Sequence, residues 1–341
     1  MKLPDHEQCR RVWQPERMEH FEGKIAVVTG GGTGMGRELV RQLSEQGCHV
    51  ATCDVSAEDM AETMAMALAG APAGTRVTAH LADVSDEAQV VAFRDAVVAQ
   101  HCVGQATPHI NLLFNNAGIG GGGSFVADGR AEWELTFNVC WGGVYYNSRA
   151  FMPLLVASDE GHIVNTSSVN GFFASLGPNI SHTAYSAAKF AVKGFTEALI
   201  TDLRLNAPHV KASVVMPGHI GTSIALNSAR AHGRNPKDLT EEQLAQIRER
   251  LGRQGLDVSG ASDEDLRTGM QTQAEMFRDM APMTAAEAAG VILDGVRHER
   301  WRILVGADAA RLDALVRQYP EEAYSPGFTE RLREEGTFDF R

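Results

Sequence analysis

From residue 25 to residue 305, short apolar, β-branched runs alternate with longer helical patterns. The runs fall at 25–29, 49–53, 77–81, 110–115, 162–166, 210–216 and 302–305. Several, such as IAVV and VKASVVM, are continuously apolar rather than alternating with polar residues. Strands covered on both faces read this way, as in parallel sheets. Between them lie helical patterns near 35–46, 56–69, 85–101, 130–156, 183–206 and 284–297. This order predicts an α/β fold: a doubly wound parallel sheet of about seven strands with right-handed crossovers. Ligands of such sheets bind beyond the carboxyl ends of the strands, where the strand order reverses.

Residues 223–282 break the rhythm and contain no convincing strand. Thr240 and Ser262 read as helix caps, and Leu244, Ile247 and Leu251 follow at helical spacing. Met270, Met276, Met280 and Met283 come next, and Thr284 with Glu287 has the spacing of a capping box. The expected organisation is one domain over 21–311 with an all-helical, lid-like insertion at 223–282. Terminal arms are expected at 1–20 and 312–341. Methionine is unbranched and adaptable, so the insertion suggests an apolar pocket and a hydrophobic substrate.

The net charge of −12 argues against nucleic acid or an anionic membrane surface as partner. No run reaches the ~18 apolar residues of a membrane span. Cys9, Cys48, Cys53, Cys102 and Cys140 are scattered, without C-x-x-C, so neither a disulfide framework nor a zinc site is expected. No H-E-x-x-H motif occurs, and no metal is expected. The N-terminus mixes both charge signs and has no apolar stretch, and a cytoplasmic setting is expected.

The first strand runs into TGGGTGMGREL, residues 29–39. Gly30, Gly34 and Gly36 have the spacing G-x-x-x-G-x-G. A strand that turns tightly into a helix while its backbone approaches a pyrophosphate cannot tolerate Cβ atoms there. The helix N-terminus then offers unpaired N–H groups to an anion. Asp54 closes the second strand, 18 residues after Gly36. A carboxylate there accepts hydrogen bonds from adenosine ribose hydroxyls and repels a 2′-phosphate. No basic residue follows Asp54 at once, and Thr33 rather than a base precedes Gly34, so NAD is favoured over NADP.

Tyr185 and Lys189 stand four apart in TAYSAAKFAVKGF, a spacing that puts both on one face of a helix. A free phenol titrates near ~10, and a neighbouring cation favours its ionised form. The pair is a candidate general acid/base. His182 and His219 flank these segments and are expected to face solvent, while Asn170 is a candidate for the pocket wall.

Set together, these elements resemble the single-domain short-chain dehydrogenase/reductase family, with its Rossmann-type sheet, over roughly 22–222 and 283–307. The motifs in order are TGGGTGMG (29–36), LADVSD (81–86), NNAG (115–118), the asparagine of FNVCWGGVYY, IVNTSSVNG (163–171), YSAAK (185–189) and PGHIGT (217–222). The resemblance implies a catalytic set of Asn138, Ser168, Tyr185 and Lys189. Ser168 is chosen over Ser167, and Asn138 would hold a water in a proton relay. Cofactor contacts would come from Gly30, Thr33, Gly34, Met35, Gly36, Asp54, Asp83, Val84, Asn116, Ala117 and Gly118. Tyr185 and Lys189 would add to these, with Pro217, Gly218, Ile220 and Thr222 around the nicotinamide. Seventeen residues separate Ser168 from Tyr185, about four more than many members have, and the extra loop (172–182) would edge the substrate pocket.

The implied function is hydride transfer between NAD and a secondary alcohol or ketone, expected to be hydrophobic, with Tyr185 as general acid/base. Two other readings stay open: an NADPH-dependent carbonyl reductase, and a dinucleotide-binding regulatory protein without turnover. The resemblance also implies a homodimer or homotetramer joined through the helices near 130–156 and 183–206.

Overall fold

The computed structural model describes residues 18–175 and 180–335. Strand β1 (Ile25–Thr29) is buried along its whole length. Successive residues of a strand face opposite sides of the sheet. Ile25 and Val27 pack with Phe93, Phe151 and Leu199, whereas Ala26 and Val28 pack with Leu39, Leu43 and Ile292. Two apolar faces demand helices on both, which is the doubly wound arrangement.

The sheet continues through β2 (His49–Asp54), β3 (Val77–Leu81), β4 (Leu112–Asn115), β5 (Gly161–Thr166) and β6 (Val210–Pro217). A short parallel pair, β7 (Ile220–Gly221) with β8 (Met283–Thr284), ties together the two ends of the insertion. Strand β9 (Arg302–Val305) completes a seven-stranded parallel sheet in the order β3-β2-β1-β4-β5-β6-β9. The order reverses between β1 and β4, so the loops after these two strands diverge and leave a crevice.

Helices α1 (Gly34–Glu45), α2 (Ala57–Gly70) and α3 (Glu87–His101) connect the first four strands. The single helix expected near 130–156 is three pieces: α4 (Arg130–Phe137), a π-helical turn (Asn138–Gly142) and α5 (Gly143–Val156). Gly143 N–H reaches back five residues to the Asn138 carbonyl, so the turn holds one residue more than an α-helix would. Strand β4 begins two residues later than expected, and just before it Asn111 acts as a side-chain staple. Its Oδ1 accepts from Ile25 N at 3.1 Å and its Nδ2 donates to the Glu160 carbonyl at 3.0 Å.

After α6 (Thr183–Asn206) and β6, the insertion holds α7 (Ile224–Ala231), α8 (Glu241–Arg253) and α9 (Asp263–Asp279), with a small core of Leu239, Leu244, Ile247 and Leu266. Capping boxes start α8 at Thr240, α9 at Ser262 and α10 (Ala285–Arg297) at Thr284. The boundary expected at 311 falls inside α11 (Ala307–Gln318), and α12 (Pro326–Glu334) follows. Both pack onto Val169 and Phe173, just past β5, so the C-terminal residues described here buttress a site loop. Among the described residues no helix is long and apolar enough to cross a membrane.

Candidate active site

The turn from β1 into α1 is crowded. Gly30 has φ +68°, and a Cβ on it would lie 2.8 Å from Ala117 Cα. A Cβ on Gly36 would collide with the Gly30 carbonyl, so only glycine lets this turn close. Thr29 Oγ1 accepts from the backbone N–H groups of Asn116 (3.0 Å) and Ala117 (3.1 Å), and Asn116 Nδ2 donates to the Thr29 carbonyl at 3.1 Å. The two loops of the crevice are thus joined at their roots. Thr33, the residue before α1, makes no side-chain cap, which leaves the first-turn amides of that helix to an anion.

A cleft of about 480 Å³ occupies this crevice. Gly30, Thr33, Gly34, Met35, Asp54, Asp83, Val84, Asn116, Ala117, Gly118 and Thr222 line it. Asp54 is held rigidly: Oδ2 accepts from Gly32 N at 2.9 Å, and Oδ1 from Val55 N (2.7 Å) and Ser56 N (3.2 Å). It does not cap the next helix; Ser56 does. Gly36, Tyr185, Lys189, Pro217, Gly218 and Ile220, also expected as cofactor contacts, are not among its lining residues. Gly218 instead lies against the Asp308 carboxylate, which a Cβ would strike, and Asp308 Oδ2 accepts from His219 N at 2.7 Å.

On α6, Lys189 is buried and its Nζ donates to the Thr166 carbonyl at 2.9 Å. It stands 5.4 Å from the Tyr185 ring centroid, and a Cβ on Gly118 would lie 3.3 Å from it. The cation therefore bridges the phenol and the cleft wall. Ser168 hydrogen-bonds to the Tyr185 phenol and accepts from Asn170 N at 3.1 Å. Ser167 points elsewhere and donates to the Lys189 carbonyl at 2.7 Å, anchoring α6 to β5. Burial pushes the Tyr185 phenol above its ordinary pKa; Lys189 and the Ser168 bond pull it down, and Cys140 adds to the rise.

Asn138 departs from the expected arrangement, because its side chain is exposed. The buried residues of that π turn are Cys140 and Gly142; the Cys140 Sγ donates to the Ile119 carbonyl at 3.1 Å, and Cys140 acts electrostatically on Tyr185. The histidines also differ from expectation. His182 stacks on the Tyr185 ring at 4.6 Å and is kept neutral by burial, with a pKa of about 4. His219 makes a 2.6 Å bond with the Phe277 carbonyl. Asn170 turns into the loop and donates to the Phe173 and Ser175 carbonyls. Part of the long loop, residues 176–179, lies outside the described residues.

The insertion's methionines do not line the cleft; Met276 and Met280 are 51% and 69% exposed. What the insertion does contribute is Ile224, Asn227, Arg230 and Ala231. No local motif marks them, since only the folding of α7 over the crevice brings them there. A second cavity, about 620 Å³, lies at the amino ends of the central strands, lined by Lys24, Glu160, His162 and Lys211, away from these loops.

A parallel, doubly wound sheet with a glycine turn at its switch point and a tyrosine–lysine pair beside it defines a nucleotide-dependent oxidoreductase. The profile of the short chain dehydrogenase family matches residues 24–232, and the chain belongs to that family. It is 35% identical over 301 residues to an oxidoreductase named SadH from Mycobacterium tuberculosis, across 88% of this chain and 92% of that protein. Levodione reductase of Leifsonia aquatica is 31% identical, across 65% of this chain and 79% of its own length. Among solved structures, a short chain dehydrogenase/reductase from Burkholderia phymatum, in complex with NAD, superposes with a TM-score of 0.69. The two are 29% identical, over 90% of this chain and 97% of that one.

Proposed function

We propose that the protein is an NAD-dependent dehydrogenase that moves hydride between the cofactor and a secondary alcohol or ketone. The observation that carries this reading is that Ser168 and Lys189 converge on the Tyr185 phenol, with Lys189 Nζ lying behind Gly118, a wall of the cleft that Asp54 and the glycine turn also line. The residues fit a dinucleotide: uncapped α1 amides for its pyrophosphate, a glycine cradle that Cβ atoms would fill, and a fixed carboxylate for a ribose diol. Bound nicotinamide supplies the hydride acceptor or donor.

The chain's own residues manage the proton and the developing charge. In oxidation the Tyr185 phenolate takes the hydroxyl proton; in reduction the phenol returns it to the alkoxide oxygen. Ser168 donates to that same oxygen, where charge accumulates. Lys189 favours the phenolate electrostatically and approaches the cleft near Gly118. Lowering a phenol from ~10 towards neutrality takes about 3–4 kcal/mol, more than the buried site supplies without the cofactor's own positive charge. Cys140 takes the inward position expected of Asn138 and positions the Ile119 carbonyl.

Ile119, Leu135, Val139 and Ile224 give the cleft an apolar side, in keeping with a hydrophobic substrate. Tyr145, Val156 and Phe190 are each 42% exposed on α5 and α6, in keeping with a homodimer or homotetramer joined there. The proposed setting is the cytoplasm.

The test is the absorbance of reduced nicotinamide with a panel of secondary alcohols. Wild type should turn over, and Tyr185→Phe should lose turnover while binding NAD nearly as well. Equal turnover in both would remove the mechanism. A wild type that binds NADP more tightly than NAD, with no change on Asp54→Ala, would remove the cofactor assignment.

A further inference from the structure

We infer that Arg230, on the helical insertion, is a ligand of the cofactor's pyrophosphate, so that the insertion completes the dinucleotide site. The inference rests on the reading of the cleft as a nicotinamide dinucleotide site. Its starting point is charge. Asp54, Asp59 and Asp83 line the cleft, and Arg230 is the one basic residue that lines it among the described residues. A dianionic pyrophosphate entering there meets three carboxylates. The α1 N-terminus offsets this in part, as a fraction of a charge.

Other cations near the cleft are engaged. The Arg37 guanidinium donates to the Gly32 carbonyl at 2.9 Å through Nε and pairs with Glu62 at 2.8 Å. Lys189 is committed to the Thr166 carbonyl. Arg230 is exposed, and its guanidinium has no hydrogen bond or ion pair among the described residues.

Placement supports the same conclusion. Asn227, Arg230 and Ala231 are spaced i, i+3, i+4 on α7 and all line the cleft, so they form one stripe of that helix. Asn227 Nδ2 donates to Thr33 Oγ1 at 2.9 Å, which docks this stripe on the residue just before α1. The other side of α7 is pinned to the loop after β4. Ser228 Oγ accepts from Gly120 N at 2.7 Å, and His232 Nε2 lies 2.9 Å from the Gly120 carbonyl. Arg230 is thus carried on a helix held at both walls of the crevice. Its planar fork suits two phosphate oxygens at once.

The experiment is calorimetric titration of the full chain with NAD, NADP and ADP-ribose, with adenosine measured by competition, at two salt concentrations. Arg230→Gln should weaken NAD and ADP-ribose roughly tenfold, spare adenosine and flatten the salt dependence. An unchanged melting temperature without ligand shows that the variant is folded. Unchanged ADP-ribose affinity would overturn the inference. So would an equal loss for adenosine, which would indicate a general change in the cleft. A loss confined to NADP would also overturn it, placing Arg230 at the 2′-phosphate. If wild type binds none of the dinucleotides, the functional reading fails instead, and the comparison of variants is not needed to show it.

Discussion

Lys189 donates to the main-chain carbonyl of Thr166 at 2.9 Å while its Nζ stands 5.4 Å from the Tyr185 ring. The end of β5 therefore sets where the cation sits, and α6 sets where the phenol sits. Burial raises the Tyr185 pKa and Lys189 opposes that rise. Oxidation uses the phenolate, so its rate should climb as pH rises through the Tyr185 pKa; reduction should fall over the same range. Lys189→Met removes the opposing cation. The oxidation limb should move to higher pH, and kcat at neutral pH should drop by about 10²–10⁴-fold. Profiles of kcat/KM against pH check this; an unmoved limb would show that Lys189 does not tune the phenol.

The adjacent serines should separate cleanly. Ser168→Ala removes a donor at the reacting oxygen and should cost about 10²–10³ in kcat with little loss of stability. Ser167→Ala breaks the 2.7 Å bond to the Lys189 carbonyl and should cost about 1–3 kcal/mol of stability. Steady-state kinetics and denaturant melts of both variants decide the assignment, and reversed phenotypes would exchange the roles.

The π turn makes a parallel contrast. Asn138→Ala changes an exposed side chain and should leave stability within about 0.5 kcal/mol and activity close to wild type. Cys140→Ala removes the thiol and with it the bond to the Ile119 carbonyl. It should lower kcat more than it raises KM, and Cys140→Ser should recover part of the loss. A large defect in Asn138→Ala would restore the proton-relay role to that residue.

His162 is buried on β5, with Nε2 2.7 Å from Ser213 Oγ. Burial, aided by the Lys211 charge, depresses its pKa to about 3. The unfolded side chain titrates near ~6.5 and so takes up a proton first as pH falls. Its contribution is complete above that value and is lost progressively down to a pH of about 3. Each pH unit in this window costs about 1.4 kcal/mol per such histidine. His162→Gln should flatten the acid limb of stability by that amount, measured as unfolding free energy at pH 7 and pH 5. Parallel slopes would assign the titration to other groups.

What the sequence determined by itself is what neighbouring residues decide together. The glycine turn is one strand-to-helix junction, and Tyr185 with Lys189 is one face of one helix. Capping boxes at Thr240, Ser262 and Thr284 are likewise closed within four residues. The continuously apolar strands announced a sheet covered on both sides, because a strand with no polar face has nowhere to meet water. Tertiary structure decided the rest. Within the π turn Cys140 is buried and Asn138 exposed, a difference that 3.6-residue periodicity does not announce. Packing inside the insertion and at its surface, not composition, kept its methionines out of the cleft. Arg230 became part of the crevice only when Asn227 of the same helix docked on Thr33, 194 residues earlier in the chain. Local chemistry is written in spacing, but the charge balance of a cleft depends on which distant helices close over it.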